Sequence, residues 1–214
     1  SRGSHDLFQD RSPRPRLQFE NYQNIEEEPI LIGDDYKLDQ WINYFSEEEI
    51  IKELNNLSSN NPRSNNDILK VMSNPVRLEF LCALAIKHYL RDMEIIPRYK
   101  VDDEGIPYTH APSNGHDIEC NFEGNTALVE VTLIKSGQQV HSEGPQTLRH
   151  LTNYKNANPE KNVVCAFIAP DIHVDFINWR DFQNRDEKNY FTFSIKNLIE
   201  DLSDSGEMES FLRS

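Results

Sequence analysis

Acidic side chains recur through residues 117–150 at positions that two neighbouring strands and a helix would bring to one place. Asp117 lies in Gly115-His116-Asp117-Ile118-Glu119-Cys120. Glu130 lies in Thr126-Ala127-Leu128-Val129-Glu130-Val131-Thr132, and Glu143 stands ahead of Gly144-Pro145, with Arg149-His150 shortly after. A hairpin joining the first two segments sets their backbones about 5 Å apart, so both carboxylates reach one hard divalent cation at just over ~2 Å. Glu130 is the more telling of the two. A carboxylate inside an apolar strand is costly unless a cation or a proton neutralises it, and the sequence offers few bases nearby. Such a centre activates water against a phosphodiester.

The elements that must position these groups follow from pattern. Leu38, Trp41, Ile42 and Phe45 have helical spacing, and Ser46 with Glu49 forms a capping box for a second helix to about residue 57. Residues 55–66 read as a polar loop, after which Asn66 or Asp67 caps a short helix to about residue 72. Pro75 opens a long helix over 76–91, apolar on most faces. Residues 95–101 read as a strand, with Asp103-Glu104-Gly105 as a turn. A hairpin follows, 118–122 and 127–134, through Glu123-Gly124-Asn125. Gly137 breaks the chain, and helix 145–156 leads to a continuous apolar strand, 163–168, suited to the centre of a sheet. A helix over 171–182, a strand over 190–193 and a helix to about 202 complete the order. The acidic tail beyond residue 200 reads as solvated and disordered. The fold class is α/β, a mixed sheet covered on both faces by helices.

The totals set limits. The chain has 214 residues, enough for one sizeable core, and its net charge of −14 disfavours nucleic acid unless charge is uneven or a separate basic part brings the substrate. Lys135, Arg149, Lys155 and Lys161 stand against Glu143 and Glu160 in a locally basic stretch around the candidate site. No run of about 18 apolar residues exists, which excludes a helical membrane span. Cys82, Cys120 and Cys165 read as reduced core thiols of a cytoplasmic protein. Ser1-Arg2-Gly3-Ser4-His5 has the look of a vector-derived leader, and no secretory signal is evident. The expected organisation is a leader and extended linker over 1–35, a helical connector over 36–73 and a catalytic domain over 74–214.

Asp117 followed by Glu130 resembles the PD-(D/E)XK nuclease motif, with Thr132 where the motif has Lys. The longer string is more specific. Asp117-Ile118, the strand Leu128-Val129-Glu130-Val131-Thr132-Leu133, Gly137, Gln139, Glu143-Gly144 and Arg149-His150-Leu151 together resemble the AlwI-like family of type IIS restriction and nicking endonucleases. The resemblance implies a PD-(D/E)XK nuclease-like mixed β-sheet flanked by helices, with an N-terminal helical linker region. It implies a Mg²⁺-dependent endodeoxyribonuclease, Mn²⁺ substituting, whose partners are double-stranded DNA and a separate DNA-recognition domain or subunit. It implies homo- or heterodimer formation for double-strand cleavage, and a prokaryotic cytoplasm. By position it makes Asp117, Glu130 and Glu143 metal ligands, and Glu79 the family's upstream acidic residue. It makes His150 the group that orients water or phosphate, and Arg149, Lys135 and Gln139 the residues near phosphate.

Each residue also has a plainer reading. Asp117 suits a turn, Glu143 a helix N-terminus favoured by the macrodipole, Glu79 a solvated helix position and His150 a satisfied core histidine. Arg149 pairs with a carboxylate or touches phosphate. Asp117 and Glu130 could equally belong to a catalytically silent dimerisation module that keeps the fold, or to a small catalytic subunit of a heterodimeric enzyme. His110, His116 and Cys120 do not match a standard zinc spacing.

Overall fold

The computed structural model describes residues 36–214. The apolar runs pair into a five-stranded sheet in the order β1 (Glu94–Pro97), β4 (Ile118–Phe122), β5 (Asn125–Val131), β6 (Asn162–Ala169) and β7 (Tyr190–Ser194). The first three run antiparallel and the last three parallel. The two-residue turn Glu123-Gly124 joins β4 to β5, and both residues have positive φ, 46° and 97°. A turn with two left-handed residues matches the twist of the flanking strands, and glycine takes one position without strain. The ladder therefore begins at Asn125, two residues earlier than the sequence pattern suggests.

Side chains of β6 alternate between two hydrophobic layers, which explains its unbroken apolar sequence. Val164, Ala166 and Ile168 join a large core with α1 (Leu38–Tyr44), α2 (Glu47–Leu57), α3 (Asn74–Tyr89) and α6 (Ile195–Ser203). Cys165 and Val163 face Leu128 and Leu151, while Phe167 faces Phe176. These lie under α4 (Gly144–Ala157) and α5 (Val174–Gln183). Helices thus cover both faces of a mixed sheet, as expected. The capping box is complete: Glu49 N–H donates to Ser46 Oγ (3.2 Å) and Ser46 N–H to Glu49 Oε2 (2.9 Å). Leu38, Ile42, Ile50 and Leu54 of the expected connector share one core with α3.

Four expectations need correction. Residues 95–101 are two strands, not one: after Pro97 the chain leaves the main sheet, and β2 (Lys100–Val101) pairs with β3 (Pro107–Thr109) in a separate ribbon. The cause is visible in burial, since Tyr99 turns fully into the core while Arg98 stays exposed. The strand carrying Glu130 ends at Val131, not 134. The short helix capped by Asn66 is a single 3₁₀ turn, Leu69–Val71. Finally, the acidic tail is ordered: α7 (Glu207–Leu212) buries Met208 and Leu212, and the Asp201 carboxylate accepts N–H bonds from Glu207 and Met208.

Candidate active site

The candidate residues meet at one end of the sheet, where β4 begins and β5 finishes. Asp117 is the residue before β4 and is held on both sides. Its N–H donates to the Val129 carbonyl (3.1 Å), and its own carbonyl accepts from Arg98 N–H (2.8 Å). Its Oδ2 accepts the Val131 N–H at 2.7 Å. Glu130 is buried in β5 opposite Phe167 of β6, on the face that looks towards α4. There the His150 ring of α4 donates from Nδ1 to Glu130 Oε1 at 2.7 Å. A carboxylate only accepts, so this bond assigns the proton to Nδ1. Glu79, near the start of α3, is 5% exposed, and its Oε2 accepts the Ala111 N–H at 2.9 Å.

Glu143 stands at the entrance of α4, as the residue before its first turn, and its side chain makes no capping bond. A π turn, Gln139–Glu143, precedes α4 and runs directly into it, leaving Glu143 half-buried on its last residue.

These four carboxyls act on one another. Burial pushes the Asp117 carboxyl well above the usual range, and the charges of Glu130, Glu79 and Glu143 push it further against the opposing Val131 bond. Glu79 is pushed up to about 7, first by burial and then by Glu130, despite the Ala111 bond and nearby His110. Glu143 is raised by burial and by Glu130, with a Ser142 bond opposing. Among the described residues, no lysine or arginine forms an ion pair with any of the four, and the only such partner is His150 on Glu130. Four crowded acids with a single histidine among them suit a divalent cation.

The donor set is entirely hard oxygen, which fits Mg²⁺ or Mn²⁺ in kind. Asp117, Glu130 and Glu79 each commit one oxygen to a protein donor, and their second oxygens carry no hydrogen bond among the described residues. Those second oxygens are not among the polar atoms sealed from solvent without a partner. Among the same residues, no three Asp, Glu, His or Cys side chains converge closely enough to form a ready-made cation site.

The remaining candidates separate. Gln139 is wholly buried and ties loops together: Nε2 donates to the Ile134 and Asp171 carbonyls, and Oε1 accepts His173 N–H (2.8 Å). It braces the turn that carries Glu143 and is not open to phosphate. Lys135 reaches the Ser58 carbonyl. His150 holds Glu130, while its Nε2 is sealed and without a partner. Arg149 is exposed and unpaired among the described residues. Thr132, in the place of the motif Lys, has its hydroxyl on the Ile134 N–H (3.2 Å).

Sequence reasoning missed a second polar group on the same face. Glu119 accepts from Tyr154 (2.6 Å) and Asn121 (2.9 Å), and lies 3.2 Å from His116 Nε2. Burial alone would raise Glu119, but the His116, Tyr154 and Asn121 bonds outweigh it and bring the carboxyl to about 2. The signal was present, since Glu119 is two residues from Asp117 along one strand and so shares its face. His116 is committed to this group and Cys120 to the opposite core, so the zinc trio is not assembled.

Comparison with known proteins bears on the fold and the family. The profile of the AlwI restriction endonuclease family matches residues 20–197. The small subunit of the heterodimeric restriction endonuclease R.BspD6I, a solved structure, is similar with a TM-score of 0.57 at 22% identity. The match covers 75% of this chain and 80% of that one. No curated protein matches. With the match extending across most of its length, the chain belongs to the AlwI restriction endonuclease family.

Proposed function

We propose that this chain is the divalent-metal-dependent cleavage part of a type IIS restriction or nicking endonuclease, which hydrolyses DNA phosphodiesters where a separate domain or subunit reads the sequence. The observation that carries the reading is the crowding of four carboxyls at the end of β4 and β5, where Asp117, Glu79 and Glu143 are each raised by burial and by a carboxylate neighbour. Asp117, Glu130 and Glu143 hold the cation, with Glu79 beside them. The cation supplies neutralisation of phosphate charge and a more acidic water. The Val131 and Ala111 N–H groups fix Asp117 and Glu79, and His150 fixes the orientation of Glu130. In this reading His150 positions a ligand, as outer groups at metal sites commonly do. One such centre cuts one strand, so double-strand cleavage needs a second copy or a different subunit.

A second reading is favoured by the structural likeness: a small catalytic subunit that joins a larger DNA-reading partner. The neighbour is the small subunit of a heterodimeric restriction endonuclease, and the match covers 80% of it. A catalytically silent module is the less economical account, because it gives no use to several acidic residues crowded at one end of the sheet.

The test is nicking of supercoiled plasmid by this chain in Mg²⁺ or Mn²⁺. The expected outcome is slow, metal-dependent nicking that Glu130→Gln and Asp117→Asn abolish. A folded sample that never nicks with either ion, at high protein concentration, contradicts the catalytic reading and favours the silent module.

A further inference from the structure

The antiparallel register of β1 and β4 continues one step past its last paired residues. Pro97 pairs with Ile118, and the next residue, Arg98, donates its N–H to the Asp117 carbonyl at 2.8 Å. Cross-strand partners project from the same face of a sheet with Cβ atoms about 5 Å apart, so Arg98 springs from the place where Asp117 does. The two do not pair. The Arg98 side chain is exposed and makes no hydrogen bond or ion pair among the described residues. Most cations elsewhere are occupied: Lys87 with Asp39, Arg180 with Asp181, Lys188 with Glu207, Arg213 with Asp92 and Glu209. A guanidinium left unpaired on the residue whose backbone meets Asp117, in a chain of net charge −14, keeps its donors for something else.

We propose that Arg98 binds a backbone phosphate of the DNA strand being cut, next to the phosphodiester presented to Asp117 and Glu130. The inference rests on the nuclease reading above and adds a substrate-binding residue to it. The planar guanidinium offers paired donors that match a phosphate. From just past the end of β1 it offers a positive charge that Thr132 does not. Arg149, exposed on α4 beside His150, gives the same end of the sheet a second free guanidinium. The carboxyls are thereby left to the cation and the arginines to the phosphates.

The experiment measures kcat/KM for Mn²⁺-dependent plasmid nicking at several salt concentrations in the full chain. Arg98→Ala is expected to lower it about tenfold or more, the usual scale of a lost hydrogen bond to a charged group. Its dependence on log salt should become shallower by about one unit, as for one released counterion. Arg98→Lys should recover part of the rate and the original slope. Calorimetric Mn²⁺ affinity and thermal unfolding should not fall in either variant, because the side chain makes no hydrogen bond or ion pair among the described residues. Lys196→Ala on α6 serves as the remote control and should match wild type. A cutting wild type whose Arg98→Ala variant keeps both rate and slope overturns this inference alone. A wild type that neither binds Mn²⁺ nor cuts overturns the nuclease reading and this inference with it.

Discussion

Glu79, Asp117, Glu130 and Glu143 are costly to the fold as they stand. Each is buried or half-buried, Asp117, Glu79 and Glu143 are raised by burial and by a carboxylate neighbour, and among the described residues only Glu130 has an ion-pair partner. Sites of this kind give up stability for function, and the sign can be tested through pH. The Glu79 carboxyl moves from an ordinary 4.5 to about 7, so the folded state holds that proton more tightly than the unfolded chain. Its stabilising share is complete below about pH 4.5 and is lost as pH rises through about 7. In chelator, urea unfolding should therefore show stability falling between pH 5 and 8, and Glu79→Gln should flatten the fall. A wild-type stability that rises across that range would contradict the assignment. Glu119 lies outside this window. Its carboxyl is low, at about 2, so its contribution is present above about 4.5 and lost only in stronger acid.

At the scale of elements, patterns that repeat were legible and those that depend on a distant partner were not. The two-period of β4 and β5, the apolar run of β6, the box of Ser46 and Glu49 and the proline opening α3 are local signals, and all became elements. The closeness of Asp117 to Glu130 was legible for the same reason, since a hairpin is a local device. The break at Pro97 was not, because it depends on where Tyr99 finds a pocket. The roles of Gln139 and His150 were also hidden, since their partners lie 32–34 and 20 residues away. α7 was lost behind its charge: Glu207 and Glu209 suggest solvation, yet Met208 and Leu212 at one helical spacing carry the packing. Leu212→Ala removes a fully buried side chain whose carbonyl also accepts from Asn125, close to the turn between β4 and β5. We expect a loss of about 2–5 kcal/mol in urea unfolding; a change within ~0.5 kcal/mol would mean the tail is dispensable.

For the molecule as a whole, the charge of −14 and the sheet-end site point the same way. Backbone phosphate contacts dominate affinity for DNA, and base-edge contacts specify sequence. A chain with few free cations should bind DNA weakly, with affinity falling steeply as salt rises, and should cut with little selectivity unless joined to a reading partner. Strong cleavage at one fixed site by this chain alone would contradict that division of labour. Among the described residues, no helix is long and apolar enough to cross a membrane. The central claim, that acids from β4, β5 and their flanking helices share one cation, is tested most directly by calorimetric titration of Mn²⁺ into the wild-type chain and into Glu130→Gln. The account predicts saturable binding in the wild type that the single substitution removes. Undiminished binding in the variant, or none in a folded wild type at millimolar Mn²⁺, would contradict it.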